Sequence, residues 1–283
     1  MYNKFLELLY CPDCCSVLED RGQFLKCVRC GREYRKEGGK VFFREIGFND
    51  NEGQDTDSII FKAKKALRKY PKLFEFVYHI VYPSTGKSSK QFVESLSRDA
   101  IILNVGSGVL KIDERVIDLD YMPYPNVSVV ADARRLPFKD ESIDALISDA
   151  LLEHMKSPKE VVSEMRRVLK PRGQIYVLVP FIFSFHSSPD DYYRWTASGL
   201  EELLKGFRKE ETGVRYGPTS AMTTIVREWL SIVLSFGVGT LYQIWNLIFL
   251  IVFTPINWLD FVFSRYRFSS NIANGLYFIG NKR

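Results

Sequence analysis

Five cysteines fall within the first 30 residues, and four of them form two CxxC pairs, Cys11/Cys14 and Cys27/Cys30, with twelve residues between the pairs. Each tight CxxC turn can present two thiolates. Together they make a tetrahedral four-sulfur site that suits a structural zinc ion, or a ribbon that has lost its metal. Four thiolates leave no open position, so such a site stabilises rather than catalyses. Two disulfides are the competing reading. They fit CxxC geometry less well, and the N-terminus MYNKFLELLYCPDC shows no export signal, which implies a reducing compartment. Cys15 stands outside both pairs.

A second constellation is ILNVGSGVLKIDERVIDLD, residues 101–120. Its glycines, Gly106 and Gly108, flank Ser107 at what reads as a turn between two strands. A dinucleotide-binding turn carries three glycines, then a helix, then an acid about 20 residues on. Here the third glycine is missing, and Asp118 and Asp120 follow Gly108 by only 10 and 12 residues. The intervening helix must be a single turn or absent. Alone, such a turn is weak evidence for a nucleotide site.

The third constellation surrounds a histidine. His186 sits in a loop just after a strand, in FHSSPDDYYRW, with Asp190, Asp191, Tyr192 and Arg194 close by in sequence. Loops at the carboxyl ends of strands in doubly wound sheets are where sites open, and an imidazole suits a general base near neutral pH. The structural alternative is that His186 and Asp191 merely order this loop. His154 is the rival base. His79, on an apolar and aromatic helix, reads as packing.

These groups need elements to hold them. The runs IILNV, RVIDL, VSVVA, DALIS and GQIYVLV are short and β-branched, as strands buried on both faces are. SPKEVVSEMRRVLKPRG reads as a helix capped by Ser157, entered through Pro158 and stopped by Pro171 and Gly173. Strands alternating with helices imply an α/β fold with a parallel, doubly wound sheet. The spacing divides the chain into a cysteine-paired segment at 1–44, a linker with a basic helix at 45–95, and a main domain at 96–283. The helix is expected over residues 58–82, closed by Pro83 and Gly86. An apolar insertion occupies 219–270, before a last strand, GLYFIGNK.

Two resemblances sharpen this. FLELLYCPDCCSVLEDRGQFLKCVRCGREYRKEGGKVFF is similar to the Trm112-like zinc ribbon that accompanies several methyltransferases, which implies an interaction or stabilising module. The pieces NVGSG, DLD, ADARRLPF, DALISDALLEH and EMRRVLKPRGQIYVLVP follow, in order, the pattern of class I S-adenosylmethionine-dependent methyltransferases of the type 11 group. That resemblance implies a Rossmann-like fold and S-adenosylmethionine as cofactor. It puts Asn104, Gly106, Ser107 and Gly108 at the methionine part, Asp120 (or Asp118) on the ribose hydroxyls, Asp132 and the Ala133 N–H at the adenine, and Ser148 and Asp149 beside the sulfonium, with Leu152 and His154 on the active-site side.

The acceptor is less specified. The fourth strand ends in SDAL, not in the Asn/Asp-Pro-Pro-aromatic motif of enzymes that methylate exocyclic amines. The run PF…H..P.DY.RWT..GL..LL resembles a subgroup associated with polysaccharide and lipid-linked glycan assembly, which implies O-methylation of a small-molecule or lipid-linked glycan acceptor. The 31 residues 229–259 carry no charge. A single span needs about 20 apolar residues, but one crossing would strand the last strand on the wrong side. A hairpin bent near Gly237-Val238-Gly239 and at Pro255, dipping into one leaflet through 221–266, satisfies both constraints. Trp229, Trp245 and Trp258 suit the interface, and the basic cluster at 62–72 suits anionic headgroups. The expected location is cytoplasmic, peripheral or monotopic on the membrane's cytoplasmic face. A cap over the site or a homodimer interface is the alternative. The net charge of +5 is too modest to argue for nucleic acid. An RNA methyltransferase, since some rRNA-guanine enzymes carry such a ribbon, and a catalytically silent partner subunit are the rival functions.

Overall fold

Short runs of Ile, Leu and Val between turn residues become the strands of one sheet, because β-branched side chains pack well on a pleated surface. A computed structural model describes residues 5–44, 70–186 and 190–283 of the chain. The first segment forms β1 (Leu18–Asp20), β2 (Phe24–Cys27), β3 (Glu33–Glu37) and β4 (Lys40–Phe42). After α1 (Pro71–Val81) and α2 (Ser89–Glu94) come β5 (Ile102–Val105), β6 (Val116–Asp120), β7 (Val129–Val130), β8 (Ile143–Asp149), α3 (Pro158–Val168) and β9 (Leu169–Pro180). The chain continues through α4 (Ala197–Leu203), β10 (Phe207–Tyr216), α5 (Pro218–Ser235), α6 (Gly239–Asn257), α7 (Asp260–Phe263) and β11 (Gly275–Lys282).

The sheet runs β1-β2-β3-β4-β7-β6-β5-β8-β9-β11-β10. The pairs from β4 to β9 are parallel. β11 lies antiparallel between β9 and β10. The last strand therefore does return to the sheet. Alternate residues along each central strand feed two cores. Leu103, Leu146 and Val177 face α3, α4 and the ribbon. Ile102, Ile147 and Tyr176 face α2. This period of two is what a sheet covered on both faces requires.

Three details depart from the sequence reading. The boundary at 95 cuts across a packed unit: α2 buries Phe92 and Val93 against the sheet and carries a full capping box between Ser88 and Gln91. The ribbon is a domain in sequence only. β4 pairs with β7, Tyr10 N donates to the Pro137 carbonyl at 3.1 Å, and Leu9, Cys11 and Cys27 share a core with Phe138. Ser157 occupies the N-cap of α3, but its hydroxyl makes no capping bond. Of the basic segment at 62–72, residues 62–69 lie outside the described residues. His79 is exposed, with its ring edge-on to that of Tyr78.

The insertion is a helical hairpin, α5 against α6, turned at Phe236 in the left-handed region and Gly237 at φ +79°. Pro255 does not end it. Thr254 Oγ1 donates back to the Leu250 carbonyl at 2.7 Å, and α6 runs on to Asn257.

Candidate active site

Gly106 ends β5 at φ +75°, and a Cβ there would lie 2.8 Å from Leu151 Cδ1, so both backbone and space demand glycine. Gly106 N and Ser107 N donate to the Leu119 carbonyl at 2.9 and 3.1 Å, which ties the turn to β6. No helix follows. Residues 106–115 cross to β6 as turn and coil, as the short spacing requires. In place of a helix, Asp120 staples the turn: its carboxylate accepts from Gly108 N at 2.8 Å and Met122 N at 2.9 Å. Burial raises its pKa against these two donors.

Asp118 and Asp120 share a strand face, which is why spacing alone leaves both as candidates. The structure separates them. Asp118 is wholly buried, with Asn104 Nδ2 and Lys111 Nζ each 3.0 Å from its carboxylate. Burial raises its pKa despite the lysine. Asp118 and Asn104 thus brace the turn from beneath, both buried, whereas Asp120 keeps some exposed surface. Beyond β7, Asp132 caps its own turn, accepting from Arg134 N at 2.9 Å and pairing with the Arg134 guanidinium at 2.6 Å. Burial pushes its pKa up, but the arginine outweighs it and holds the carboxyl below the usual range. Ala133 beside it is buried. The ribbon reaches this edge: Arg44 lies 3.3 Å above the Tyr121 ring and donates to the Tyr121 carbonyl at 2.9 Å, next to Asp120.

At the end of β8, Ser148 is buried with an unpartnered hydroxyl, and Asp149 accepts from Ser89 Oγ at 3.2 Å. Burial raises the Asp149 pKa while Arg215 opposes the rise. A single 3-10 turn, Leu152–His154, follows. Leu152 joins the core instead of the site. Glu153, which the sequence reading passed over, takes its place. It is wholly buried, neither carboxylate oxygen has a hydrogen-bond partner, and burial pushes its pKa up to about 8. Two imidazoles flank it. His154 Nε2 lies 3.8 Å and His186 Nε2 3.9 Å from Glu153 Oε1. The rings meet edge to face, centroids 5.0 Å apart. His154 Nδ1 is 2.5 Å from the Asp190 carbonyl, and His186 Nδ1 is 3.3 Å from Asp191 Oδ2. Burial lowers the His154 pKa. Asp191 is itself held by Arg194 and by the His186 N–H. Burial acts to raise its pKa, and those bonds override it. The two imidazoles named as candidate bases thus converge on a third group, Glu153, with Asp191 placed behind His186. The available signal was an acid directly before His154 at the end of the fourth central strand.

In the ribbon, Cys11 and Cys30 sulfurs lie 3.7 Å apart and Cys14 and Cys27 sulfurs 3.3 Å apart, all four within 4.8 Å of one another. Zinc–thiolate bonds of about 2.3 Å at tetrahedral angles separate sulfurs by about 3.8 Å. The donor set fits that ion. Cys30 N donates to Cys27 Sγ at 3.4 Å, and Tyr34 bridges Cys11 to Asp13. Cys15 lies outside the cluster.

Residues 86–177 match a family model described as a methyltransferase domain. The chain is 34% identical over 98 residues to a demethylmenaquinone methyltransferase of Renibacterium salmoninarum, covering 34% of this chain and 38% of that protein. It is 31% identical over 144 residues to a probable S-adenosylmethionine-dependent methyltransferase of Mycolicibacterium smegmatis, covering 42% and 56%. It is 30% identical over 106 residues to the human probable tRNA methyltransferase 9B, covering 32% and 23%. The chain thus spans between about a quarter and just over half of these relatives. The stretch from Gly86 to Val177, which holds the central parallel strands and the glycine turn, is thus similar to a methyltransferase domain.

Proposed function

We propose that the protein transfers a methyl group from S-adenosylmethionine to an oxygen of a glycan or lipid-linked acceptor at a membrane surface. The observation that carries this reading is the convergence of Glu153, His154 and His186 just after β8, in the segment whose Leu151 packs on Gly106 of the glycine turn. The turn lets backbone approach the cofactor, Asp120 retains lone pairs for the ribose hydroxyls, and Asp132 with the Ala133 N–H receives the adenine. Bound there, the cofactor supplies an electrophilic methyl group. His186, oriented by Asp191, together with Glu153 handles the proton of the acceptor hydroxyl. Cys11, Cys14, Cys27 and Cys30 hold a structural zinc ion that fixes the ribbon, and through Arg44 the Tyr121 edge of the site.

The hairpin supports the membrane. Its polar groups face inward: Glu228 accepts from Tyr242 and from Asn246 Nδ2, and Thr223 donates to Asn257. Its outside is apolar, with Trp229, Ile232, Phe236, Ile251 and Trp258 all exposed. α6 is long and apolar enough to cross a membrane, and almost none of it is buried. Lipid, where no water satisfies polar groups, favours this arrangement.

A second reading, RNA methylation, draws on the tRNA methyltransferase similarity and on the ribbon. Incubation with methyl-labelled cofactor and separated lipid, RNA and protein fractions of a host extract distinguishes the two. Label in the lipid-glycan fraction is expected, and label confined to RNA overturns the first reading. His186→Ala lowers turnover by roughly 10²-fold with cofactor affinity unchanged; unaltered turnover removes the imidazole from the chemistry.

A further inference from the structure

Among the described residues, two groups of side chains could hold a metal ion: the four cysteines, and Glu153 with His154 and His186. The second group has no sulfur and lies at the end of β8. We propose that Glu153, His154 and His186 hold a divalent cation of the zinc or iron(II) class, distinct from the ion of the ribbon.

The argument begins with Glu153. A carboxyl with no exposed surface and no donor from any other residue on either oxygen is costly to bury unless something satisfies it. The imidazoles do not. At 3.8 and 3.9 Å their Nε2 atoms are too far from Oε1 to be hydrogen-bonded to it. That spacing suits donors that share an ion: bonds of about 2.0–2.2 Å set neighbouring ligand atoms roughly 3–3.5 Å apart. One ligand atom from each of the three residues already lies within 4.8 Å of the others, so a small contraction closes the set.

The outer contacts point the same way. A ligating histidine commonly gives its other ring nitrogen to a carbonyl or carboxylate, which turns the free lone pair toward the metal. His154 Nδ1 sits on the Asp190 carbonyl, and His186 Nδ1 lies 3.3 Å from Asp191, whose carboxylate accepts from the His186 backbone N–H and is held in place by Arg194. Both Nε2 atoms lie within 4 Å of one carboxylate oxygen, Glu153 Oε1. Two histidines and one carboxylate are a known ligand set for zinc and non-haem iron(II), and three protein ligands leave positions open for water or substrate oxygen. With the ion bound, His186 and Glu153 serve as its ligands, and the ion, by lowering the pKa of an acceptor oxygen in the open position, would replace them as the means of removing its proton; that step rests on the methyl-transfer reading, and the binding of the ion does not.

The test is metal counting with a spectroscopic label. Metal-stripped full-length protein is titrated with Co²⁺ under reducing conditions, followed by elemental analysis and absorption. Thiolate-bound cobalt gives strong sulfur-to-metal charge-transfer bands, whereas a site of two histidines and a glutamate gives only weak ligand-field bands. Wild type takes up two equivalents, the second adding no charge-transfer intensity. Glu153→Gln and His186→Ala each lose that second equivalent and keep the thiolate bands, which report that the chain is still folded. A wild type that binds one equivalent, or variants that retain both, overturns the proposal. Methyl-transfer activity does not enter the readout, so failure of the functional reading leaves the count interpretable.

Discussion

The sheet and the α5–α6 hairpin bury opposite kinds of side chain. Around the sheet, Ile102, Leu103, Phe138, Leu146 and Tyr176 point inward and lose all contact with solvent. In the hairpin, Thr223, Ser231, Ser235 and Asn246 are buried, while Trp229, Ile232 and Ile251 face outward. On the membrane reading proposed above, one chain obeys two solvents. The first pattern lowers free energy by removing apolar area from water. The second lowers it only where the surroundings are themselves apolar, so that unsatisfied polar groups, not apolar area, must be hidden.

Substitutions that act on one region and spare the other sharpen this contrast. Phe138→Ala removes a fully buried ring that joins ribbon to sheet; it should cost about 3–5 kcal/mol, read from the denaturant midpoint. Ile251→Lys, at a side chain 66% exposed, should leave that midpoint nearly unchanged. It should weaken flotation with phospholipid vesicles by about 3 kcal/mol, roughly 10²-fold. Loss of stability without loss of flotation would break the comparison and favour a partner protein or second copy as the cover. Asp260→Ala removes a buried carboxylate that accepts from Thr219 N at 2.7 Å and Ser220 N at 2.9 Å at the start of α5. A lost cap of this kind costs about 1–2 kcal/mol, read from thermal melting in detergent.

The smallest effect is one of pH. Burial holds the folded-state pKa of Asp118 above its unfolded value. Its contribution to stability is fully present below about pH 4 and is lost as the pH rises through the folded value. Asp118→Asn removes that loss, so the stability difference between wild type and variant shifts in the variant's favour across the same window. A difference independent of pH would mean that Lys111 compensates the buried charge completely.

Much of the fold was legible because its signals are local. β-Branched runs marked the central strands, GLYFIGNK marked the returning strand, and the ten residues between β5 and β6 left no space for a helix. What was hidden depends on contacts distant in sequence. β4 joins β7 across 86 intervening residues between Phe42 and Val129, and nothing in either short strand announces its partner. α2 has six residues, too few to show helical periodicity, so its capping box alone could have marked it. Asp118 and Asp120 were inseparable because a strand repeats every two residues; only Lys111 and Asn104 closing over Asp118 distinguish them. Glu153 was passed over because an acid in a loop is ordinarily solvated, whereas here distant residues come back onto the 3-10 turn: His186 lies beside its carboxylate, and Tyr192 N donates to its carbonyl at 2.7 Å.

The claim on which the rest depends is that the glycine turn and Asp120 form an S-adenosylmethionine site. Calorimetric titration of the full-length protein with S-adenosylmethionine tests it directly. The account predicts one cofactor bound per chain, with Asp120→Asn weakening affinity by about 10–100-fold, as expected for losing hydrogen bonds to a charged acceptor. No binding by wild type, or equal binding by Asp120→Asn, would contradict it.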